Sequence, residues 1–113
     1  METVELLFSK SVSLDDLHQK LLCSWQGASV SADTLVVEDS RGRVYIHYCD
    51  DAPGSGIFLD YSDIELVKDV LLVIGDDPDV LIDNDFGTVL PGDQFVERIR
   101  SQPEWNWRLD HQA

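Results

Sequence analysis

Apolar positions along this chain switch between two spacings, and the switches mark the elements. Val4 to Phe8 is an apolar run that predicts a first strand. Leu14, Leu17, Leu21 and Trp25 then recur three and four apart, which is one face of a helix. Ser13 can cap that helix through its hydroxyl. Asp15 and Asp16 suit the positive end of its dipole, and Gly27 ends it. From Thr34 to Cys49, two β-rich runs flank Ser40-Arg41-Gly42-Arg43 and predict a hairpin, with Gly42 supplying the unusual backbone angles of its turn. With Arg41 and Gly42 as the loop, Val37 faces Ile46 and Leu35 faces Tyr48. Those four share one face, and Val36, Glu38, Tyr45 and His47 share the other.

Gly56 to Tyr61 alternates Ile57, Leu59 and Tyr61 with Phe58 and Asp60, the period of a strand. Ser62-Asp63-Ile64-Glu65 has the spacing of a capping box, and a helix from Asp63 to Ile74 would stop at Gly75 with Pro78 beyond. The β-branched residues of Val70 to Ile74 make a strand the competing reading there. Val80 to Asp83 and Thr88 to Leu90 read as a short hairpin around Asn84-Asp85-Phe86-Gly87. Pro91-Gly92-Asp93 opens a last helix with Phe95, Val96 and Ile99 on one side. Pro103 closes it before an extended tail, Glu104 to Arg108. The order β-α-β-β-β-α-β-β-α has consecutive hairpins. It predicts an α+β fold, with a mostly antiparallel sheet of five to six strands and about three helices on one face.

At 113 residues and 43% apolar composition, the chain has the size and core of a single domain spanning residues 1–113. Its 22 acids against 8 Lys and Arg give a net charge of −14. Such a surface repels nucleic acid and anionic membranes alike, and it points to a positively charged protein partner. The acid is concentrated. Between Asp50 and Asp85 stand eleven acids and the single base Lys68, hence ten of the fourteen net negative charges. Many fall in loops or at element ends: Asp50-Asp51, Asp76-Asp77-x-Asp79 and Asp83-x-Asp85. Such groups can merely be solvated. They can also converge into one field that steers a basic partner.

Two cysteines, Cys23 and Cys49, form no ligand motif and suit a reducing compartment. The start of the chain shows no basic n-region, and its longest apolar run, Val70 to Ile74, is far too short for a bilayer span. The cytoplasm is the expected location. No metal and no cofactor is expected. Counted from Asp83 as a calcium loop, position 5 is Gly87, position 6 is Thr88 and position 12 is Gln94, where oxygen, Gly and Glu are required. Gly54-Ser55-Gly56 is too short for a phosphate loop. His47 and Cys49, two apart on one strand face, could poise a thiolate. Packing is the commoner use of such a pair, and the chain reads as a binding protein, not an enzyme. Trp105 and Trp107, two apart in an extended tail, point the same way. They either plug the core or offer an interface anchor.

Size, charge and the stretch Ile82-Asp83-Asn84-Asp85-Phe86-Gly87 through Leu90-Pro91-Gly92, Phe95-Val96 and Trp105-Asn106-Trp107 together resemble the small acidic immunity proteins of bacterial polymorphic-toxin and contact-dependent inhibition systems. The resemblance implies a non-catalytic protein that binds and neutralises a cognate toxin domain, many of which are nucleases with basic clefts. The expected contact residues are Asp50, Asp51, Asp60, Asp76, Asp77, Asp79, Asp83 and Asp85, with Tyr61, Trp105 and Trp107 supplying buried area. Two other readings compete: a structural or regulatory subunit, such as a homodimer using the exposed sheet face, and a small enzyme built on Cys49 and His47 or a carboxylate pair.

Overall fold

The computed structural model describes residues 1–49 and 55–112. The strands are β1 (Glu2–Phe8), β2 (Ser29–Ser31), β3 (Thr34–Asp39), β4 (Gly42–Tyr48), β5 (Gly56–Tyr61), β6 (Val80–Asp83) and β7 (Val89–Pro91). The helices are α1 (Leu14–Leu22), α2 (Ile64–Ile74) and α3 (Gly92–Ser101), and a 3-10 turn runs from Trp107 to Gln112. All seven strands form one antiparallel sheet in the order β2-β3-β4-β5-β1-β6-β7. The expected α+β class and antiparallel sheet are present. The sheet has seven strands where five or six were expected, because the three-residue edge strand β2, Ser-Val-Ser, has too little apolar pattern to register as one.

Side-chain alternation decides the layering. Val4, Leu6, Leu35, Val37, Val44, Ile46, Ile57, Leu59, Tyr61, Val80 and Ile82 are all buried, and cross-strand pairs such as Val4–Leu59, Leu6–Ile82 and Val37–Val44 put them on one face. The three helices cover that face. The hairpin register differs from expectation: Val37 faces Val44, not Ile46, because Asp39 and Gly42 close the ladder around Ser40-Arg41. A slip of two residues preserves the faces, so Leu35 and Val37 still point to the core. Gly42 sits at φ 145°, and a Cβ there would lie 2.2 Å from Ser62 Oγ, so the turn and the start of α2 interlock at a glycine.

Ser13 caps α1 as expected, its Oγ accepting from the Asp15 and Asp16 amides, and the helix stops at Cys23, short of Gly27. The cap of α2 is Asp63, whose carboxylate accepts from the Leu66 amide at 2.9 Å. Ser62 instead accepts from the Arg43 amide at 3.0 Å. Val70 to Ile74 is helical. Leu66, Val67, Val70, Leu71 and Ile74 follow the 3-4 spacing, and their burial outweighs β-propensity. Arg41 pairs with Asp39 and Asp69 at 2.7 Å each, tying the β3–β4 turn to α2. Asp39 is held down to about 2 by the Arg41 guanidinium. Lys68 is buried, and its Nζ donates to Glu65 at 3.1 Å and to the Pro103 carbonyl at 3.3 Å, which fastens the segment after α3 to α2.

Candidate functional site

With the helices all on one side, the other face of the sheet carries no layer from the described residues. Its side chains are the alternate ones, and the registers map them. One row across the sheet reads Thr34, His47, Phe58, Glu5, Asp83, Val89. The next reads Val36, Tyr45, Asp60, Thr3. Leu7 faces Leu81 in the row on the opposite side of the Glu5–Asp83 row. Thr3, Glu5, Phe58, Asp60, Asp83 and Asp85 line a depression of about 320 Å³ on this face. Four carboxylates therefore surround one half-buried aromatic ring, with Leu7, Leu81 and Val89 exposed beside them.

Each carboxylate has a structural reason for its position. Asp60 projects from β5 between the core residues Leu59 and Tyr61. Its Oδ1 accepts from Thr3 Oγ1 at 2.6 Å, and its Oδ2 lies 2.9 Å from His47 Nε2. An ionised carboxylate only accepts, so His47 carries a proton on Nε2. The His47 ring also packs at 5.6 Å from Phe58. Asp83 and Asp85 are set by the β6–β7 turn. Asn84 is fully buried, and its Oδ1 accepts from the Phe86 and Thr88 amides at 2.8 and 3.1 Å. Asp83 Oδ1 accepts from the Asp85 amide at 2.8 Å, and Asp85 occupies the left-handed region at φ 64°, a conformation Asp tolerates better than most residues.

The acids expected to form one field divide in two. Asp60, Asp83 and Asp85 meet on the open face. Asp76, Asp77 and Asp79 are exposed in the α2–β6 loop and border a separate groove of about 310 Å³, which also contains Lys10, Lys20 and Asp16. Asp76 pairs there with Arg100 at 3.3 Å, so that groove carries mixed charge. Asp50 and Asp51 lie outside the described residues.

The three aromatic residues expected to supply interface area are in the core. Tyr61 and Trp107 are fully buried and Trp105 nearly so. Trp107 donates from Nε1 to the Tyr61 hydroxyl at 2.7 Å, and Phe95 packs against both tryptophans at 5.1 and 5.6 Å, while the two indoles meet edge to face at 5.3 Å. The tail is not extended: the Trp105 amide bonds to the Gln102 carbonyl and a 3-10 turn follows, folding both indoles inward. A partner cannot reach them. The apolar area on the open face comes from Phe58, Tyr45, Leu7, Leu81 and Val89. Thr3, Glu5 and Leu7 were legible in the sequence as the alternates of Val4 and Leu6, but nothing local placed them beside Asp60 and Asp83. Of the pair considered for thiol chemistry, Cys49 is buried, whereas His47 is on the open face and engaged by Asp60.

Comparison of the chain with protein-family models, curated proteins and solved structures gave no match. Among the described residues, no helix is long and apolar enough to cross a membrane, and no three metal-ligating side chains are placed to hold an ion.

Proposed function

We propose that this protein is an acidic binding protein that docks a basic protein surface on the open face of its sheet, in the manner of an immunity protein neutralising its cognate toxin domain. The observation that carries the reading is the set Glu5, Asp60, Asp83 and Asp85 around Phe58, flanked by Leu7, Leu81 and Val89. Carboxylates there steer a cationic partner and fix its register, and the apolar side chains supply the desolvated area that holds it. A toxin with a basic substrate cleft fits, because carboxylates would sit where phosphates go. A second copy of this chain fits poorly, since the same four acids would face each other.

The test begins with capture at low salt from the source cells and elution along a salt gradient. It is decided with the purified basic partner. Neutralising the open face (Asp60→Asn, Asp83→Asn and Asp85→Asn together) should weaken binding by about tenfold or more, mainly through the on-rate, and flatten the salt dependence. Reversing Asp76, Asp77 and Asp79 should change it by less than about threefold, the scale of a rim effect. If the open-face variant keeps wild-type affinity and salt slope, the docking face is elsewhere. A stable dimer, with no basic partner, would favour a structural subunit.

A further inference from the structure

We propose that the groove between α1 and the α2–β6 loop binds a short zwitterionic peptide with apolar side chains, at a site separate from the docking face and independent of that reading. The distribution of the bases points there. Arg41, Arg43, Lys68, Arg100 and Arg108 each pair with a carboxylate, and Arg98 lies over the Trp105 ring at 3.9 Å. Lys10 and Lys20 are the two bases that pair with no carboxylate among the described residues, in a chain with 22 acids, and both line this one groove. Asp16, Asp76, Asp77 and Asp79 line it too. Asp16 and Lys20 even stand four apart on α1, the spacing of a helical ion pair, yet make none. The groove therefore presents both signs of charge without joining them.

Its floor is apolar, made by the buried side chains of Leu17, Ile74 and Val80. The first turn of α1 has no amide to spare for an anion. The Leu14 amide donates to the Tyr48 hydroxyl at 3.2 Å, those of Asp15 and Asp16 to Ser13 Oγ at 3.2 and 3.5 Å, and that of Leu17 to the Ser13 carbonyl at 3.1 Å. A ligand carboxylate is therefore held by the Lys10 and Lys20 ammonium groups, with the Ser9 and Ser11 hydroxyls beside them. At the acidic end, Asp76 is engaged by Arg100 at 3.3 Å, and Asp77 Oδ1 accepts from the Asp79 amide at 2.8 Å. Asp79 and the second oxygen of Asp77 are left to receive a ligand ammonium. A simple anion would meet four carboxylates here and a simple cation two ammonium groups, whereas a molecule carrying both charges answers both sets. A volume of about 310 Å³ lies at the small end of ligand clefts and suits a dipeptide, whose side chains would cover the floor.

The probe is the dipeptide leucyl-leucine, titrated at neutral pH into the full chain while the methyl resonances of Leu17, Ile74 and Val80 are followed. Their shifts should saturate with a Kd of about 1 mM or below. Two capped forms test the two charges. N-acetyl-leucyl-leucine lacks the ammonium and leucyl-leucine amide lacks the carboxylate, and each should bind about fivefold to tenfold more weakly, the scale of one lost charge pairing. Lys10→Gln with Lys20→Gln should abolish the preference for the acid over the amide. Asp77→Asn with Asp79→Asn should abolish the preference for the free over the acetylated amine. Neutralising the open face with Asp60→Asn, Asp83→Asn and Asp85→Asn should leave dipeptide affinity within about twofold of wild type, which keeps the two sites distinct. Methyl resonances unmoved at about 10 mM dipeptide overturn the proposal. So do equal affinities for all three ligands, or groove variants that keep the wild-type preferences.

Discussion

Tyr61 is a buried phenol between two partners, accepting from Trp107 Nε1 and donating to Glu2 at 3.1 Å. Burial pushes its pKa up to about 12, with the Glu2 carboxylate adding to the rise and the Trp107 bond opposing it. The folded value lies above the ordinary value near 10. Stability from this group is therefore intact below pH 10 and is lost as pH rises through 12. Over that interval the loss should reach about 2–3 kcal/mol. Urea midpoints taken across that range should fall more steeply in wild type than in Tyr61→Phe. The variant should itself start lower by about 1–3 kcal/mol, because it leaves the buried Trp107 N–H without an acceptor. The same residues show what a local reading misses. Two tryptophans at i and i+2 were expected to point together, and both turn inward. Whether they meet core or solvent depends on Tyr61 and Phe95, which are distant in sequence.

At the level of elements, the positions of most helices and strands were legible, and the errors are small and physical. Ser62 and Asp63 both have capping side chains. The sequence favours Ser62, since Glu65 stands three residues on, but the Arg43 amide across the hairpin claims the serine hydroxyl and leaves Asp63 to cap α2. Asp63→Ala should cost about 1 kcal/mol and speed amide hydrogen exchange in the first turn of α2. Ser62→Ala should leave that turn protected and speed exchange at Arg43 instead. The reverse pattern would restore Ser62 as the cap. The hairpin slipped by two residues without moving any side chain to the wrong face, because a period of two tolerates even shifts. One-residue slips are the ones that burial forbids.

For the molecule as a whole, composition gave the sign of the surface and topology gave its address. Asp60, Asp83 and Glu5 come from three strands that neighbour one another only because β1 lies between β5 and β6. No spacing in the chain encodes that order, so the acids that converge could not be told from those that do not. Their convergence opposes folding through like-charge repulsion. Asp83→Asn with Asp85→Asn should raise stability by about 0.5–1 kcal/mol at low ionic strength, an advantage that shrinks in half-molar salt, measured by chemical denaturation. A gain that salt leaves unchanged would mean that repulsion is not its source. The place of β1 also governs how the chain assembles. Its partners are Leu59 and Ile57 on one side and Ile82 and Val80 on the other, so the first strand made is among the last to find both neighbours. The β3–β4 hairpin closes over a few residues and can form early, whereas β1 must wait for two long loops to close. Until then, its apolar face is an unpaired edge, and refolding competes with aggregation through it, more severely as protein concentration rises.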